Sequence, residues 1–110
     1  MPLMEGLTAV AANALSANVL AGESHEFLQS DAKVEFFAVG SAAGLKYFLT
    51  ATPDEIARDT TLTNVGASIL DKDHGLITEF VAAGTRLDWR FRNTTAGALN
   101  ALWRVRVTYL

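Results

Sequence analysis

The sequence predicts an all-β protein: an antiparallel, jelly-roll-like β-sandwich of about six to eight strands, preceded by an N-terminal arm or short helix. Three observations lead to this prediction. From Ala32 onward apolar and polar residues alternate with a period of two, and turn-forming residues recur at intervals of about ten residues. The chain has 110 residues, half of them apolar, which suits one domain with a single core.

The N-terminal part of the chain differs from the rest. Residues 7–22 carry no charge, and Leu3, Leu7 and Val10 follow a helical spacing. The preceding residues include Glu5 and no Lys or Arg, so neither a signal peptide nor a membrane span is favoured. We therefore divide the chain into an arm, residues 1–22, and a sandwich domain, residues 23–110. The arm is expected to cover its own core or a neighbouring subunit.

The first strands are predicted in the middle of the chain. Lys33–Val39 and Leu45–Thr50 alternate, and the Gly-rich stretch 40–44 between them indicates a hairpin. Val34, Phe36 and Ala38 would face the core on the first strand, and Leu45, Tyr47 and Leu49 on the second. The stretch 52–55, TPDE, fits a capped helical turn and a polar loop equally well.

The remaining strands are predicted from composition and alternation. The stretch 60–70 is rich in Thr, Val and Ile and should contain a strand, and 76–82 should form another. The clearest strands are 85–93 and 101–110, in which large apolar residues alternate with arginines. A turn is expected at 71–75, DKDHG.

The sequence contains parts of several catalytic motifs, but none of these motifs is complete. His25-Glu26 starts like a zinc-protease motif, but Gln29 stands where the second His is needed, and Ser68 lacks the second Gly of a nucleophile elbow. His74 has no nucleophile beside it in the sequence, and the chain has no cysteine. We therefore expect a protein that is not an enzyme and uses no cofactor.

Two binding or modification signals also admit an ordinary explanation. Asp71 and Asp73 resemble the start of a calcium loop, but Gly75 and Ala82 stand at its fifth and twelfth positions, where oxygen ligands are required. We interpret the stretch as an acidic turn. The stretch 93–95, NTT, matches the glycosylation pattern, and we interpret it as a polar loop.

Charge is distributed unevenly along the chain. The net charge is −3, made up of −7 over residues 1–80 and +4 over residues 81–110. If strands 85–93 and 101–110 pair around the loop between them, their aromatic faces coincide in the core and their five arginines form one outer patch. That patch is either an ordinary solvated face or a surface for an anionic partner or an acidic protein. Nucleic acid is disfavoured by the net negative charge.

The last quarter of the chain resembles a known class of proteins. The stretch from Gly84 to Leu110 contains GTRL, FRNTT and the terminal WRVRVTYL. It resembles the end of small all-β virion proteins of bacteriophages, the jelly-roll-like capsid decoration or cement proteins. The resemblance implies a structural role in the virion. It also implies partners such as the major capsid protein, and an N-terminal segment that reaches a neighbour.

These considerations give one leading hypothesis and one alternative. The leading hypothesis is a capsid decoration, cement or minor coat protein located in the virion, a homo-oligomer (trimer or larger) that binds neither nucleic acid nor membrane. The predicted protein interface consists of Leu3, Leu7, Val10, Leu15, Val19, Leu20, Arg86, Arg90, Arg92, Arg104 and Arg106. The alternative is a ligand- or carbohydrate-binding β-sandwich that uses Phe37, Phe48, Trp89 or Trp103. Removing residues 1–20 should leave a folded sandwich that no longer assembles.

Overall fold

A computed structural model describes residues 3–23, 25–52, 54–66 and 75–110. Over these residues the chain is all-β and antiparallel, as predicted. The seven strands are β1 (Leu3–Val10), β2 (Ala32–Gly40), β3 (Leu45–Ala51), β4 (Asp54–Thr61), β5 (Gly75–Val81), β6 (Leu87–Asn93) and β7 (Leu99–Tyr109).

The strands form two sheets. The larger sheet has the order β1-β7-β2-β5, and the smaller has the order β4-β3-β6. Residues 14–19 run beside β6 without regular strand geometry: Ser16 N–H donates to the Phe91 carbonyl at 2.8 Å, and Val19 N–H donates to the Trp89 carbonyl at 2.8 Å. This segment, which we call the covering segment, takes the place of a fourth strand in the smaller sheet.

The connectivity is that of a ribbon folded in two and rolled up. The pairs β3–β4, β2–β5, covering segment–β6 and β1–β7 are nested around the turn between β3 and β4. Rolling then brings β2 beside β7 and β3 beside β6, which closes the two sheets. These pairings make the sandwich a jelly roll, so the predicted fold class is confirmed.

The core lies between the sheets and is filled by the alternating residues predicted to face it. Phe36 packs edge-on against Trp89 with ring centroids 5.3 Å apart. Trp89 of the smaller sheet also meets Trp103 of the larger sheet at 6.2 Å. The predicted inward residues of β2 and β3 are all buried. Local alternation therefore identified the core side of these strands correctly.

The hairpin predicted in the middle of the chain was wrong. β2 and β3 do not form a hairpin, because β2 belongs to the larger sheet and β3 to the smaller one. Their inward faces meet across the core, so the connection 41–44 crosses from sheet to sheet instead of turning within one. No helical turn follows β3 in the described residues, since β4 is extended from Asp54 onward. Of the stretch 60–70, in which a strand was expected, Thr60 and Thr61 belong to β4, and residues 67–70 lie outside the described residues.

The N-terminal residues form a strand, not a helix. Along β1 Met4 and Val10 are buried, whereas Leu3 and Leu7 are exposed, which is a period of two. β1 pairs with β7 along its whole length. Gly6 faces inward, and the ring of Trp103 occupies the space where a side chain would lie. The predicted arm is therefore, where it is described, an intramolecular edge of the sandwich.

Polar residues in the uncharged stretch hold the covering segment on β6. The buried Asn18 accepts the N–H of Leu20 and the N–H of Trp89 with its Oδ1, and donates to the Leu87 carbonyl. Ser16 Oγ accepts the N–H of Phe91 at 3.0 Å. These side chains supply the bonds that a regular strand would supply with its backbone, so the stretch needs its Asn and Ser residues.

Candidate protein-protein interface

The five arginines do not form one patch, which corrects the prediction. Arg90 and Arg92 lie on β6 in the smaller sheet, whereas Arg104 and Arg106 lie on β7 in the larger sheet. Both strands direct their aromatic residues into the shared core from opposite sides. Their arginines therefore leave the sandwich in opposite directions. Alternation had identified the outward residues but could not show that the two strands belong to different sheets.

Each arginine is paired with an acid of its own chain. The pairs are Arg86–Glu26 at 2.7 Å, Arg90–Asp88 at 3.0 Å, Arg92–Asp59 at 3.3 Å, Arg104–Glu5 at 2.9 Å and Arg106–Glu35 at 3.9 Å. Four of these acids precede residue 81, and the folded ribbon brings them beside the last quarter of the chain. In the folded chain the positive charge of the last quarter is thus balanced by nearby carboxylates. These ion pairs also connect the two halves of the ribbon.

Glu26 is the most strongly held of these acids. Its Oε1 accepts the backbone N–H of Gly22 at 3.0 Å, and its Oε2 accepts the Nε–H of Arg86 at 2.7 Å. The Gly22 N–H and then Arg86 hold the pKa of Glu26 below its usual value of 4.5. Because the backbone carbonyl of Glu26 also accepts the Leu87 N–H, Glu26 connects Gly22 to the start of β6.

The predicted N-terminal interface residues fall into two groups. Leu3, Leu7 and Leu15 are 48%, 65% and 51% exposed. Val10 and Leu20 are fully buried in the core, and Val19 packs against it, so these three are core residues in the isolated chain. The sequence did not separate the groups, because all six are aliphatic residues of the same N-terminal segment, 3–20.

The structure adds exposed apolar residues that the sequence analysis did not select. Phe80 on β5 is 71% exposed, and Leu110 is 76% exposed. Together with Asp31, Ala32, Val81 and Ala82 they line a shallow depression at one end of the larger sheet. Phe80 lies opposite Lys33, which alternation along β2 places on the outer face. With the β2–β5 register known, Phe80 would have been assigned to the same face.

The aromatic residues proposed for sugar binding are mostly inside. Trp89 is 0% exposed, Trp103 is 3% exposed and Phe37 is buried, partly under the guanidinium of Arg106. Phe48 alone of the four candidates is partly accessible. A sugar ring stacks on an accessible aromatic face, which the two tryptophans do not offer in this fold.

The incomplete catalytic signals have structural roles where they are described. His25 Nδ1 lies 2.8 Å from the Tyr109 hydroxyl, and Glu26 is paired with Arg86. Ser68, Asp71, Asp73 and His74 lie outside the described residues.

The glycosylation pattern falls on a residue that is not accessible. Asn93 is 1% exposed, and its amide nitrogen donates to the carbonyls of Val10 and Gly97. Its side-chain oxygen accepts the N–H of Thr95, which closes the loop after β6. This asparagine orders the loop and is not an exposed acceptor for a glycan.

No group of three or more His, Asp or Glu residues is arranged to hold a metal ion in the part of the chain that is described. In the same residues there is no helix long and apolar enough to cross a membrane.

Comparison with known proteins gives no match to this chain, either among family models or among curated proteins. The resemblance of residues 84–110 to virion proteins therefore stays a prediction from the sequence.

Proposed function

We propose that this chain is a structural protein of a bacteriophage virion, a capsid decoration, cement or minor coat protein that stabilises the particle through protein-protein contacts. The main support for the proposal is the distribution of polar and apolar side chains over the surface of the jelly roll. The arginines are paired within the chain, while large apolar side chains stand on the outer surface. A surface of this kind is suited to contact with other proteins.

The outer side of the larger sheet supports this proposal. Leu7 stands opposite Leu102 in the β1–β7 register, and Leu102 stands opposite Val39 in the β2–β7 register. At the other end of the same sheet, Phe80 and Leu110 are the most exposed large apolar residues described. Between these two apolar ends lie the compensated pairs Glu5–Arg104 and Glu35–Arg106. Charged groups at a protein-protein contact orient the partners more than they increase the binding affinity.

The carbohydrate-binding alternative is less well supported, because the tryptophans on which it depended are core residues. A jelly-roll fold is common to lectin domains and capsid proteins, so the fold by itself does not separate the two functions. The exposed apolar side chains favour protein contacts: among the described residues five are aliphatic (Leu3, Leu7, Leu15, Val65 and Leu110) and two are aromatic (Phe27 and Phe80).

The test is to purify virus particles from the culture that expresses this chain and to count its copies by quantitative mass spectrometry. The expected result is a fixed ratio to the most abundant shell protein that survives a wash at about 0.5 M salt, where long-range charge effects are screened. Absence from the particles would overturn the proposal.

A rebinding experiment adds a control. Particles stripped of the chain should take up the wild-type protein but less of a Phe80→Lys variant, because Phe80 is an exposed apolar residue whose replacement leaves the core intact. A Thr60→Lys variant, changed at an exposed position on β4, should rebind normally. Binding of the wild-type chain to a glycan array, without any binding to particles, would favour the alternative function.

A further inference from the structure

The edges of the two sheets are protected to different degrees. An open strand edge pairs readily with another strand, and proteins prevent this with charges, bulges, inward-pointing ionised groups or a covering loop. In the smaller sheet, β4 is bulged at two places against β3 and carries Asp54, Glu55, Arg58 and Asp59. The other side of that sheet is covered by the covering segment.

The larger sheet has one protected edge. On β5 the register shifts at the pairing with Phe36 and Phe37, which bends that strand. Glu79 of β5 is opposite the inward Val34, so an ionisable group points toward the interior side of this edge. Both features discourage a further strand from pairing with β5.

β1 lacks these features. It pairs with β7 in an unbroken register from Leu3 to Val10 and contains no Lys, Arg or Pro. Its one charged residue, Glu5, forms an ion pair with Arg104 of the neighbouring strand at 2.9 Å. Leu3 and Leu7 are exposed beside the open edge. Of the four edges formed by described residues, β1 alone is regular, apolar and uncovered.

We infer that β1 pairs antiparallel with β1 of a second copy of this chain, around a twofold axis close to Leu7. An unprotected edge pairs with another unprotected edge, and the one that this chain offers is β1 itself. The inference rests on the proposed function for its biological setting, since it names one contact through which copies would assemble. A larger homo-oligomer would need a second contact in addition.

The side chains of β1 select the register of this pairing. A register centred on Glu5 would bring Leu3 opposite Leu7 but would also set two Glu5 carboxylates opposite each other, which is destabilising. A register centred on Leu3 would pair only the first few residues of the strand. Centring on Leu7 places Leu7 against Leu7 and Glu5 against Ala9, so an apolar pair forms without opposed like charges.

The size of the contact determines how it should be observed. A contact confined to one strand edge falls at the low end of interface sizes, below about 1,200 Å² in total. The dimer is therefore expected to dissociate on dilution. Light scattering across a concentration series should show a rise in molar mass toward twice that of the 11.8 kDa chain, with little dependence on salt.

Cross-linking tests the register directly, because the chain has no cysteine of its own. A Leu7→Cys variant contains one thiol, and opposed residues of an antiparallel pair lie within reach of a disulfide. Under mild oxidation this variant should form a covalent dimer rapidly. The matched control is Phe80→Cys, an equally exposed position on the opposite edge of the same sheet, which should cross-link at least tenfold more slowly.

A blocking variant separates pairing from folding. Leu7→Lys places a charge on the open edge and should abolish the rise in molar mass, while its melting temperature at low concentration stays that of the wild type. A wild-type chain that is monomeric at every concentration, with no Leu7→Cys dimer, would overturn the inference. So would a dimer that survives Leu7→Lys, or preferential cross-linking between Leu7→Cys and Phe80→Cys chains.

The failure of this inference is distinguishable from failure of the proposed function. A monomer in solution would remove the β1 contact without affecting the count of copies in purified particles. Conversely, a chain that dimerises through β1 but is absent from particles would retain the contact and overturn the virion role.

Discussion

Gly6 lies where the indole ring of Trp103 passes beneath β1. A Cβ atom at this position would be 2.6 Å from Cζ2 of Trp103, closer than atoms in proteins pack. The indole nitrogen donates to Thr8 Oγ1 at 3.2 Å, so the ring is tied to the same strand and has little freedom to withdraw. A single small residue therefore fixes how closely β1 approaches the core.

We predict that Gly6→Ala lowers the free energy of unfolding by about 1–3 kcal/mol, the usual effect of overpacking a core. Gly97→Ala is the matched control, because a Cβ at that exposed loop position meets nothing within 4 Å. Urea denaturation followed by tryptophan fluorescence measures both variants. Equal stability of Gly6→Ala and the wild type would mean that β1 does not rest on Trp103 as described.

Glu26 gives the fold a specific response to acid. Its pKa is lowered in the folded state, first by the Gly22 N–H and then by Arg86. A carboxylate with a lowered pKa stabilises the folded state above its unfolded pKa, and that contribution is lost as the pH falls through the folded pKa. We predict that Glu26→Gln is less stable than the wild type near pH 7 and loses less stability between about pH 6 and about pH 3.

Denaturation midpoints over this pH range measure the effect. Arg86→Gln is the informative comparison, because it removes one cause of the lowered pKa and retains the Gly22 N–H. Its acid dependence should lie between those of Glu26→Gln and the wild type. Identical pH profiles for all three proteins would contradict the role given to Glu26.

At the scale of elements, the residues before β2 belong to the sandwich. Met4, Val10 and Leu20 are buried, and Asn18 bonds to the backbone of Leu87 and of Trp89 on β6. Losing a buried Met or Leu side chain costs about 2–5 kcal/mol. Removing three large apolar residues and a buried hydrogen-bonding group thus approaches the whole stability of a domain, about 5–15 kcal/mol.

We therefore predict that a chain lacking residues 1–20 is unfolded, in contrast to the expectation from the sequence alone. Far-UV circular dichroism and a proton–nitrogen NMR spectrum distinguish the outcomes. A full-length Leu3→Ser, Leu7→Ser double variant should stay folded, because both side chains are exposed. A folded truncated chain with dispersed resonances would show that the arm is separable after all.

Sequence reasoning succeeded where information is local. The inward residues of β6 and β7 were predictable because alternation along one strand is set by the pleat of that strand. Their pairing was not, since the partner of a strand depends on how the ribbon rolls, and β6 and β7 are adjacent in sequence but face each other across the core. The single arginine patch failed for this reason.

The covering segment shows a second limit. Ser16 and Asn18 looked like interruptions of an apolar run, yet their side chains accept N–H groups of β6. Such bonds have no periodic signature, because each depends on one side chain meeting one backbone group from a distant part of the chain. Four of the five acids that pair with the arginines could not be predicted either, because they are distant in sequence; Glu5 and Arg104 lie at opposite ends of the chain.

At the scale of the whole molecule, the nested pairing makes the chain one cooperative unit. The first and last strands are neighbours, and the innermost turn lies between β3 and β4, so no pair can separate without opening the core it encloses. Trp89 reports on the smaller sheet and Trp103 on the larger, and the two rings are in contact. Small domains with one core usually unfold in a single step.

We predict that urea unfolding followed by tryptophan fluorescence, far-UV circular dichroism and hydrogen exchange of the β1 amides gives one midpoint and one free energy. An N-terminal arm that is only loosely attached would instead exchange its amide hydrogens well below the global unfolding free energy, while the fluorescence stayed native. The measurement should be made at a low protein concentration, so that pairing between copies does not protect β1. Coincident values would mean that β1 is stabilised by the same core as the other strands, and that its open edge is a surface of the folded monomer.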